Sequence, residues 1–345
     1  MKNTRTLTHI WQGLASWTAY AVITFTVSTL GCHESLQVQE TPPLAGGSIR
    51  ELLPEAEQIV REGLNNNDPL IKANTIEVIA DTKQIKQMPK VQRLLQDDFV
   101  PVRFTAALAV GDLRYSLAED SIKHLLEDKD ENVRIAADYA LCKLGAGSGF
   151  ELVRKNIASN DQTVRANAVL LLGKSGDKNS LKVLYWALRN KDSDDKVRFN
   201  AVEAIAMLGD ERIYPKAWAN LINIHGEDKV TGIRAMGALG TAEAKNALIT
   251  MLDDDVLEVR LAAAEQLGKL GETTGEAEVL KVFTKNLTAG TDKEELERVN
   301  ILTALAIGQI GTGNLTKFLP QLLKNESKFV RIAAAKAVFQ CAAKN

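Results

Sequence analysis

The chain has 345 residues, more than one ordinary hydrophobic core organises. Hydrophobic residues make up 45 % of it and aromatic residues only 5 %, a balance that suits small side chains between closely stacked helices. The net charge of −2 provides no concentrated positive surface, so the composition excludes the nucleic-acid-binding class.

Residues 1–32 differ from the rest of the chain. Lys2 and Arg5 form a basic start, and no Asp, Glu, Lys or Arg follows until Glu34. The intervening segment is largely apolar from Ile10 to Cys32. A basic start followed by an apolar stretch predicts a secretion leader or a membrane anchor.

The end of this segment resembles the lipobox of bacterial lipoproteins. In Ser28-Thr29-Leu30-Gly31-Cys32 a small residue precedes the cysteine, although Thr29 stands where leucine is usual. The resemblance implies that 1–32 is a lipoprotein signal peptide and that Cys32 carries acyl chains, two of which hold a protein stably on a membrane. An uncleaved signal anchor and a plain cleaved leader are the alternatives. His33 in place of aspartate favours the outer membrane, by the rule for Gram-negative lipoproteins.

Residues 33–47 are polar and contain Pro42-Pro43 and Gly46-Gly47. This composition predicts a flexible tether between the leader and the folded domain.

From residue 48 to residue 345 the sequence repeats with a period of roughly 31 residues. A basic residue marks eight copies of the repeat and Asn300 marks one, with two extra residues before Arg198 and nine before Asn300. The anchors are Lys72, Arg103, Arg134, Arg165, Arg198, Lys229, Arg260, Asn300 and Arg331. Around each anchor, the positions at −1, +3 and +7 hold valine, a small residue and an apolar residue in nearly every copy, which predicts one apolar helical stripe. Six copies have glycine at +11, which predicts the end of the helix: Gly145, Gly176, Gly209, Gly240, Gly271 and Gly311.

The shared pattern resembles HEAT repeats, in particular the short type named after phycobilisome lyases. The resemblance implies an all-α fold, an α-solenoid of about nine stacked helical hairpins over residues 48–345. We expect an elongated stack, in which each hairpin covers the apolar flank of its neighbour.

A row of Asp, Asn or Ser lies six residues before the row of anchors. In proteins with HEAT repeats such rows hydrogen-bond along the loop edge, so the resemblance implies a structural ladder; a binding stripe is the alternative. The ladder residues are Asp97, Arg103, Asp128, Arg134, Arg165, Arg198, Asp254, Arg260 and Arg331.

The offsets +2, +5 and +9 on the inner helices face away from the apolar stripe and should line the concave surface. At +5 the sequence has Leu108, Tyr139 and Leu170 in consecutive repeats, followed by Glu203, Arg234 and Glu265. An exposed apolar row that contains a tyrosine is typical of a protein contact, so we predict a protein-docking groove. Tight curvature that buries this row is the alternative, and a buried Tyr139 ring would contradict the groove.

Two further surfaces deserve note. Both insertions, near Asn190–Lys196 and within Thr288–Arg298, fall between an outer and an inner helix and should form loops on one edge.

Four aromatic residues on two adjacent outer helices favour helix packing, with a ligand platform as the alternative: Tyr185, Trp186, Tyr214 and Trp218.

The sequence shows no catalytic constellation. After the leader it has only His33, His124 and His225, too far apart to share a metal, and no H-E-x-x-H, G-x-S-x-G or P-loop pattern. Cys142 and Cys341 lie in distant repeats, so we predict two unpaired thiols. A hydroxylase family of this repeat class holds iron with repeated His-Glu pairs, whereas this chain has His33-Glu34 alone.

We therefore expect a non-catalytic scaffold or adaptor, exported and lipid-anchored at Cys32, that binds an unknown protein partner without cofactor, metal or nucleic acid. An enzyme or cofactor-handling protein of the lyase type and a structural subunit of a larger envelope complex are the alternatives. A cavity with converging polar side chains would favour the enzyme, and a smooth concave face would favour the scaffold.

Overall fold

A computed structural model of the chain describes residues 48–344 apart from 286, 288 and 289. The predicted signal peptide, the lipidated Cys32 and the tether of residues 33–47 lie outside the described residues. The regular structure in the described ranges is helical and includes no strand. None of the helices described there has the length and apolar character needed to cross a membrane.

The described residues form nineteen α-helices, with short 3₁₀ turns between several of them. The helices are α1 (Leu53–Leu64), α2 (Pro69–Asp81), α3 (Met88–Arg93), α4 (Val100–Asp112), α5 (Glu119–Leu125), α6 (Glu131–Leu144), α7 (Glu151–Asn156), α8 (Gln162–Ser175), α9 (Leu181–Arg189), α10 (Asp195–Met207), α11 (Tyr214–Leu221), α12 (Gly226–Leu239), α13 (Ala242–Thr250), α14 (Leu257–Lys269), α15 (Glu276–Thr284), α16 (Lys293–Ile310), α17 (Gly313–Thr316), α18 (Leu319–Leu323) and α19 (Lys328–Lys344).

Nine of these helices form an inner layer, and each packs against the next inner helix along the chain. The inner helices are α2, α4, α6, α8, α10, α12, α14, α16 and α19. An outer helix precedes each of them, and the pair α17–α18 takes this place in the last hairpin. The predicted all-α solenoid of nine helical hairpins is confirmed.

The helix ends predicted at the +11 glycines are confirmed, and aspartates cap the starts of three inner helices. Asp68, Asp130 and Asp161 cap α2, α6 and α8, because each carboxylate accepts a hydrogen bond from a backbone N–H in the first turn. All six glycines of the +11 column have a positive φ, as at Gly145, where φ is 88°. This left-handed conformation ends a helix at little cost only in glycine.

Close packing between inner helices depends on a second column of small residues, at +8, which the sequence analysis overlooked. A Cβ at Gly173 would lie 2.6 Å from the Cα of Ala204 on the next inner helix, and a Cβ at Gly111 would lie 2.9 Å from the Cα of Ala140. Gly237, Gly268 and Gly308 occupy the same column. The absent side chains set the short distance between neighbouring helices.

The nine hairpins close into a ring. The last inner helix, α19, packs against both α1 and α2, and Ile59, Ile71 and Ile332 meet along this seam. The expected elongated stack is therefore wrong. A rotation of about 40° per repeat, summed over nine repeats, completes one turn and brings the two ends of the solenoid together.

The two insertions differ from each other. The first forms the predicted loop, between the end of α9 at Arg189 and the start of α10 at Asp195. The second was also predicted as a loop, but α16 already begins at Lys293, so residues 293–298 extend the inner helix instead. Asp292 caps that extension by accepting a hydrogen bond from the Glu295 backbone N–H at 2.7 Å.

Candidate functional site

Closure of the ring turns the concave faces of the inner helices towards one central cavity of about 370 Å³. Eight of the nine inner helices contribute to its lining, and nine of the nineteen lining residues are charged. The charged residues are Glu77, Asp81, Asp112, Lys174, Glu203, Arg234, Glu265, Lys269 and Lys336. The concave face is therefore a polar cavity.

The predicted apolar docking row is contradicted. Leu108 is 8 % exposed, Tyr139 1 % and Leu170 7 %, because the curvature of the closed ring brings adjacent inner helices together over this column. The Tyr139 hydroxyl donates a hydrogen bond to Asp112 Oδ1 at 2.5 Å, and burial raises the pKa of this phenol. Leu108 and Leu170 keep a small apolar contact with the central cavity.

Three ion pairs link inner helices across or along the cavity wall. Lys174 Nζ lies 2.8 Å from Asp112 Oδ2, and Arg234 Nε lies 2.9 Å from Glu203 Oε2. Lys336 Nζ lies 2.6 Å from Asp81 Oδ2. Burial alone would lower the pKa of Lys336, but the neighbouring Asp81 outweighs it and the net shift is upwards. Burial alone would raise the pKa of Asp81, but Lys336 outweighs it and lowers that pKa, so both members of this pair stay charged.

Glu265 has no such partner. Glu265 lines the cavity and is 5 % exposed. Its carboxylate makes no hydrogen bond or ion pair with another described residue. Burial raises the pKa of its carboxyl, against the attraction of Lys336, Lys269 and Arg234. The predicted charged segment thus contains one ion pair, between Glu203 and Arg234, and one carboxyl without a partner.

The ladder along the loop edge takes two forms. At three anchors the cation reaches an aspartate of the next repeat: Lys72 Nζ lies 2.6 Å from Asp97, Lys229 Nζ lies 2.5 Å from Asp254, and Arg103 binds Asp128 with Nε at 2.8 Å and Nη2 at 2.9 Å. These contacts join consecutive hairpins.

The other ladder arginines bind loops within their own repeat. Backbone carbonyls six residues earlier accept hydrogen bonds from Arg134, Arg165, Arg260 and Arg331 at 2.7 Å. Arg198 contacts the Asp195 carboxylate and the Lys191 carbonyl instead. The row therefore fixes the shape of the loop at six of its arginines and joins consecutive repeats only at some anchors.

The aromatic cluster of the outer layer remains partly exposed. Trp186 is 45 % exposed on α9 and Trp218 is 36 % exposed on α11, whereas Tyr185 and Tyr214 are half-buried. A shallow groove beside Trp186, which we name the outer groove, is lined by Lys182, Tyr185, Trp186, Arg189, Asn190, Lys191 and Arg212. The guanidinium groups of Arg189 and Arg212 lie 5.3 and 5.6 Å from the Tyr185 ring centre, within range of cation–π attraction.

The two cysteines of the described chain, Cys142 and Cys341, form no disulfide there, as predicted. Burial raises the pKa of Cys341 to about 11. The described residues include no group of three or more His, Cys, Asp or Glu side chains placed to hold a metal ion.

Comparison with known families agrees with this architecture. A profile of HEAT repeats matches residues 57–142, 150–229 and 225–297, which together make up more than half of the chain. The chain belongs to the HEAT-repeat family.

Solved structures with a similar fold include two whose names indicate enzymes. Human deoxyhypusine hydroxylase, in complex with glycerol, is 16 % identical over 77 % of this chain and 99 % of its own, with a TM-score of 0.38. The CpcE–CpcF complex of phycocyanin lyase from Nostoc sp. PCC7120 is 18 % identical over 72 % of this chain and 93 % of its own, with a TM-score of 0.42. A search of curated proteins finds no match to this sequence.

Part of the central site of this HEAT-repeat chain was not predicted from its sequence. Asp81, Asp112, Lys174 and Lys269 all occupy the +9 column, one of the offsets expected on the concave surface. Reading that column beside +5 would have shown charges in consecutive repeats. The pairing partners could not have been found in this way, because the ion pair between Lys336 and Asp81 exists only when the ring is closed.

Proposed function

We propose that this HEAT-repeat ring is a non-catalytic scaffold held at a bacterial envelope membrane, and that it docks an acidic segment of a protein partner in the outer groove. The exposure of the Trp186 ring among several cationic side chains supports this proposal most directly. Exposed tryptophan and arginine side chains are the residue types that contribute most at protein interfaces.

The charge of the outer groove supports an acidic partner. Lys182, Arg189 and Lys191 are exposed and line it together with Arg212, and no carboxylate is among its lining residues. Asp210 pairs with Arg212, but its side chain is only 7 % exposed and so presents little negative charge to a partner. Such a surface favours an acidic segment that carries an apolar anchor for the Trp186 ring.

Preorganisation favours binding at this surface. Tyr185, Trp186 and Arg189 project from one helix, and that helix packs on the inner helix α10. A partner that binds here does not have to order a loop first, which lowers the entropic cost of association.

Photo-crosslinking tests the docking proposal in the full-length, membrane-associated protein. We expect a photo-crosslinking residue in place of Trp186 to label one protein through an acidic segment, with labelling reduced by salt and by Arg189→Glu. The same residue in place of Ile249, an apolar position of similar exposure on the outer helix α13, is the matched control. Adducts with lipid, adducts with a second copy of the chain, or equal labelling from both positions would each overturn the proposal.

The membrane anchor rests on the resemblance of Ser28–Cys32 to a lipobox. Metabolic labelling with an alkyne fatty acid should modify the wild-type chain and not the Cys32→Ser variant. The mass of the mature N-terminus should correspond to a diacylated or triacylated Cys32. A mature chain that starts elsewhere, or that retains Met1, would replace lipidation with plain secretion or with a signal anchor.

An enzyme or cofactor-handling protein is the second candidate, favoured by the convergence of charged side chains in the central cavity. Carboxylates and amines at such positions can move protons on a bound ligand. This class predicts that a compound bound in the cavity is chemically changed during incubation, whereas a scaffold returns it unaltered. Mass spectrometry of the recovered compound separates the two classes.

A further inference from the structure

We propose that the central cavity is a binding site for a small organic cation, an alkylamine or guanidinium compound, whose charged group binds the carboxylate of Glu265. This site is separate from the outer groove and does not depend on the function proposed for that groove.

Outside three ion pairs, the charged residues of the cavity wall are Glu77, Glu265 and Lys269. Three ion pairs engage Lys336 with Asp81, Lys174 with Asp112, and Arg234 with Glu203. Glu265 lies within the influence of Lys336, Lys269 and Arg234 but bonds to none of them. Two of these three cations are already paired with other carboxylates. The remaining one, Lys269, is exposed at the end of α14.

A buried carboxyl without a partner is costly to the fold. Here the residue is 5 % exposed and faces the cavity, so a ligand that enters can supply the missing donor. A neutral apolar ligand would leave the carboxyl unsatisfied, and an anion would add a like charge beside it. A cation that donates a hydrogen bond to the carboxylate removes the free-energy cost of burying it.

The remaining walls and the size of the cavity define the rest of the ligand. Leu108, Leu170, Met207 and Ala238 line the same space, so a short hydrocarbon portion can contact them. The volume of about 370 Å³ is at the lower end of the range typical of small-molecule sites. An amine or guanidinium group on a short alkyl chain matches both the charge and the apolar contacts.

Titration of the full-length protein with defined probes tests the site. The probes are butylamine and agmatine, with acetate and inorganic phosphate as anions at matched ionic strength, measured by calorimetry and by the shift in thermal midpoint. We expect at least one cation to bind. Glu265→Gln, which keeps the shape of the side chain, should weaken that binding by about tenfold or more.

Two further variants make the outcome decisive. Lys269→Met removes a competing cation and should strengthen cation binding, whereas Glu127→Gln, at an exposed position outside the cavity, should leave it unchanged. Failure of both cations to bind at millimolar concentration overturns the proposal. So do equal affinities in the wild type and in Glu265→Gln, or binding of the anions alone, which would assign the cavity to its lysines and Arg234.

Discussion

Lys336 Nζ lies 2.6 Å from Asp81 Oδ2, and this ion pair joins the last inner helix of the ring to the first across 255 residues of sequence. The lysine side chain is only 9 % exposed, while the aspartate side chain is 50 % exposed. The ammonium group is therefore the partner that depends more on the contact, because its side chain is the more buried of the two.

Asp81→Asn should lower the free energy of unfolding by about 1–2 kcal/mol at pH 7, because the buried Lys336 ammonium loses a charged acceptor. Chemical denaturation measures this change. Asp253→Asn, at an exposed position away from the cavity, is the matched control and should change stability by less than about 0.5 kcal/mol. Equal effects of the two substitutions would show that the closing contact adds nothing.

The same pair predicts a pH dependence. Burial would raise the pKa of Asp81, but Lys336 outweighs it and holds the pKa below its ordinary value of 3.8. A carboxyl whose pKa is lower in the folded state stabilises the fold above its unfolded pKa and loses this effect as the pH falls through the folded value. The stability difference between wild type and Asp81→Asn should therefore be full at pH 6, begin to decrease near pH 3.8, and be lost as the pH falls through the lower pKa of the folded state.

Glu265 predicts the opposite pH dependence. Because burial raises its pKa above the ordinary value of 4.5, the fold is favoured while the carboxyl is protonated and loses that advantage as the pH rises through the folded pKa. Glu265→Gln should raise the thermal midpoint at pH 8 and leave it almost unchanged at pH 4. The charged groups around this carboxyl are Glu77, Asp81, Glu203, Arg234, Lys269 and Lys336.

The comparison for Glu265 is made in protein without added amine, since a bound cation would compensate the charge. Glu127→Gln serves as the exposed control and should show no pH-dependent difference from wild type. A lower midpoint for Glu265→Gln at pH 8 would mean that the cations around the carboxylate outweigh the cost of burying it.

The periodic sequence predicted the hairpins, the glycine helix ends and the register of this solenoid because each depends on contacts within one or two repeats. Asp130 caps its own helix, and Gly145 ends it. Closure of the ring does not depend on any single repeat. The small rotation between each inner helix and the next determines whether the ring closes. Side-chain packing at positions such as Gly173 and Ala204 sets that rotation.

The candidate site was predicted in part for the same reason. The +5 column placed Glu203, Arg234 and Glu265 on the concave face correctly, because the offset fixes the helix face. Exposure could not be predicted from the offset, since Tyr139 would face open solvent in an extended stack and is buried in a ring. Burial in this protein is thus a property of the whole superhelix.

The glycine column predicts a contrast between two alanine substitutions. Gly173→Ala should destabilise the protein by about 1–3 kcal/mol, because the new Cβ would meet the backbone and side chain of Ala204 at 2.6 and 2.7 Å and would push two inner helices apart. Gly226→Ala, at the start of α12, adds a Cβ that meets nothing within 4 Å and should change stability by about 0.5 kcal/mol or less. Urea denaturation measures both, and similar losses at the two positions would contradict the packing argument.

Two ladder arginines separate the joining of repeats from the shaping of a loop. Arg103 holds both oxygens of Asp128 in the next repeat and donates from Nη1 to the Asp97 and Asp98 carbonyls at 2.8 and 3.1 Å. A lysine has one nitrogen and cannot reproduce this fork, so Arg103→Lys should cost about 2 kcal/mol. Arg134 donates only to the Asp128 carbonyl at 2.7 Å, besides a looser contact with Glu131, and a lysine can retain that bond.

Arg134→Lys should therefore cost under about 0.5 kcal/mol in the same denaturation measurement. The side chain of Arg103 is 7 % exposed and that of Arg134 is 31 % exposed, so solvent can replace lost contacts at the second position and not at the first. Hydrogen exchange locates the effect: Arg103→Lys should loosen the boundary between the second and third hairpins, because Asp128 belongs to the third. Equal costs at the two positions, or loosening confined to the loop of Arg103, would show that the bidentate contact does not join the repeats.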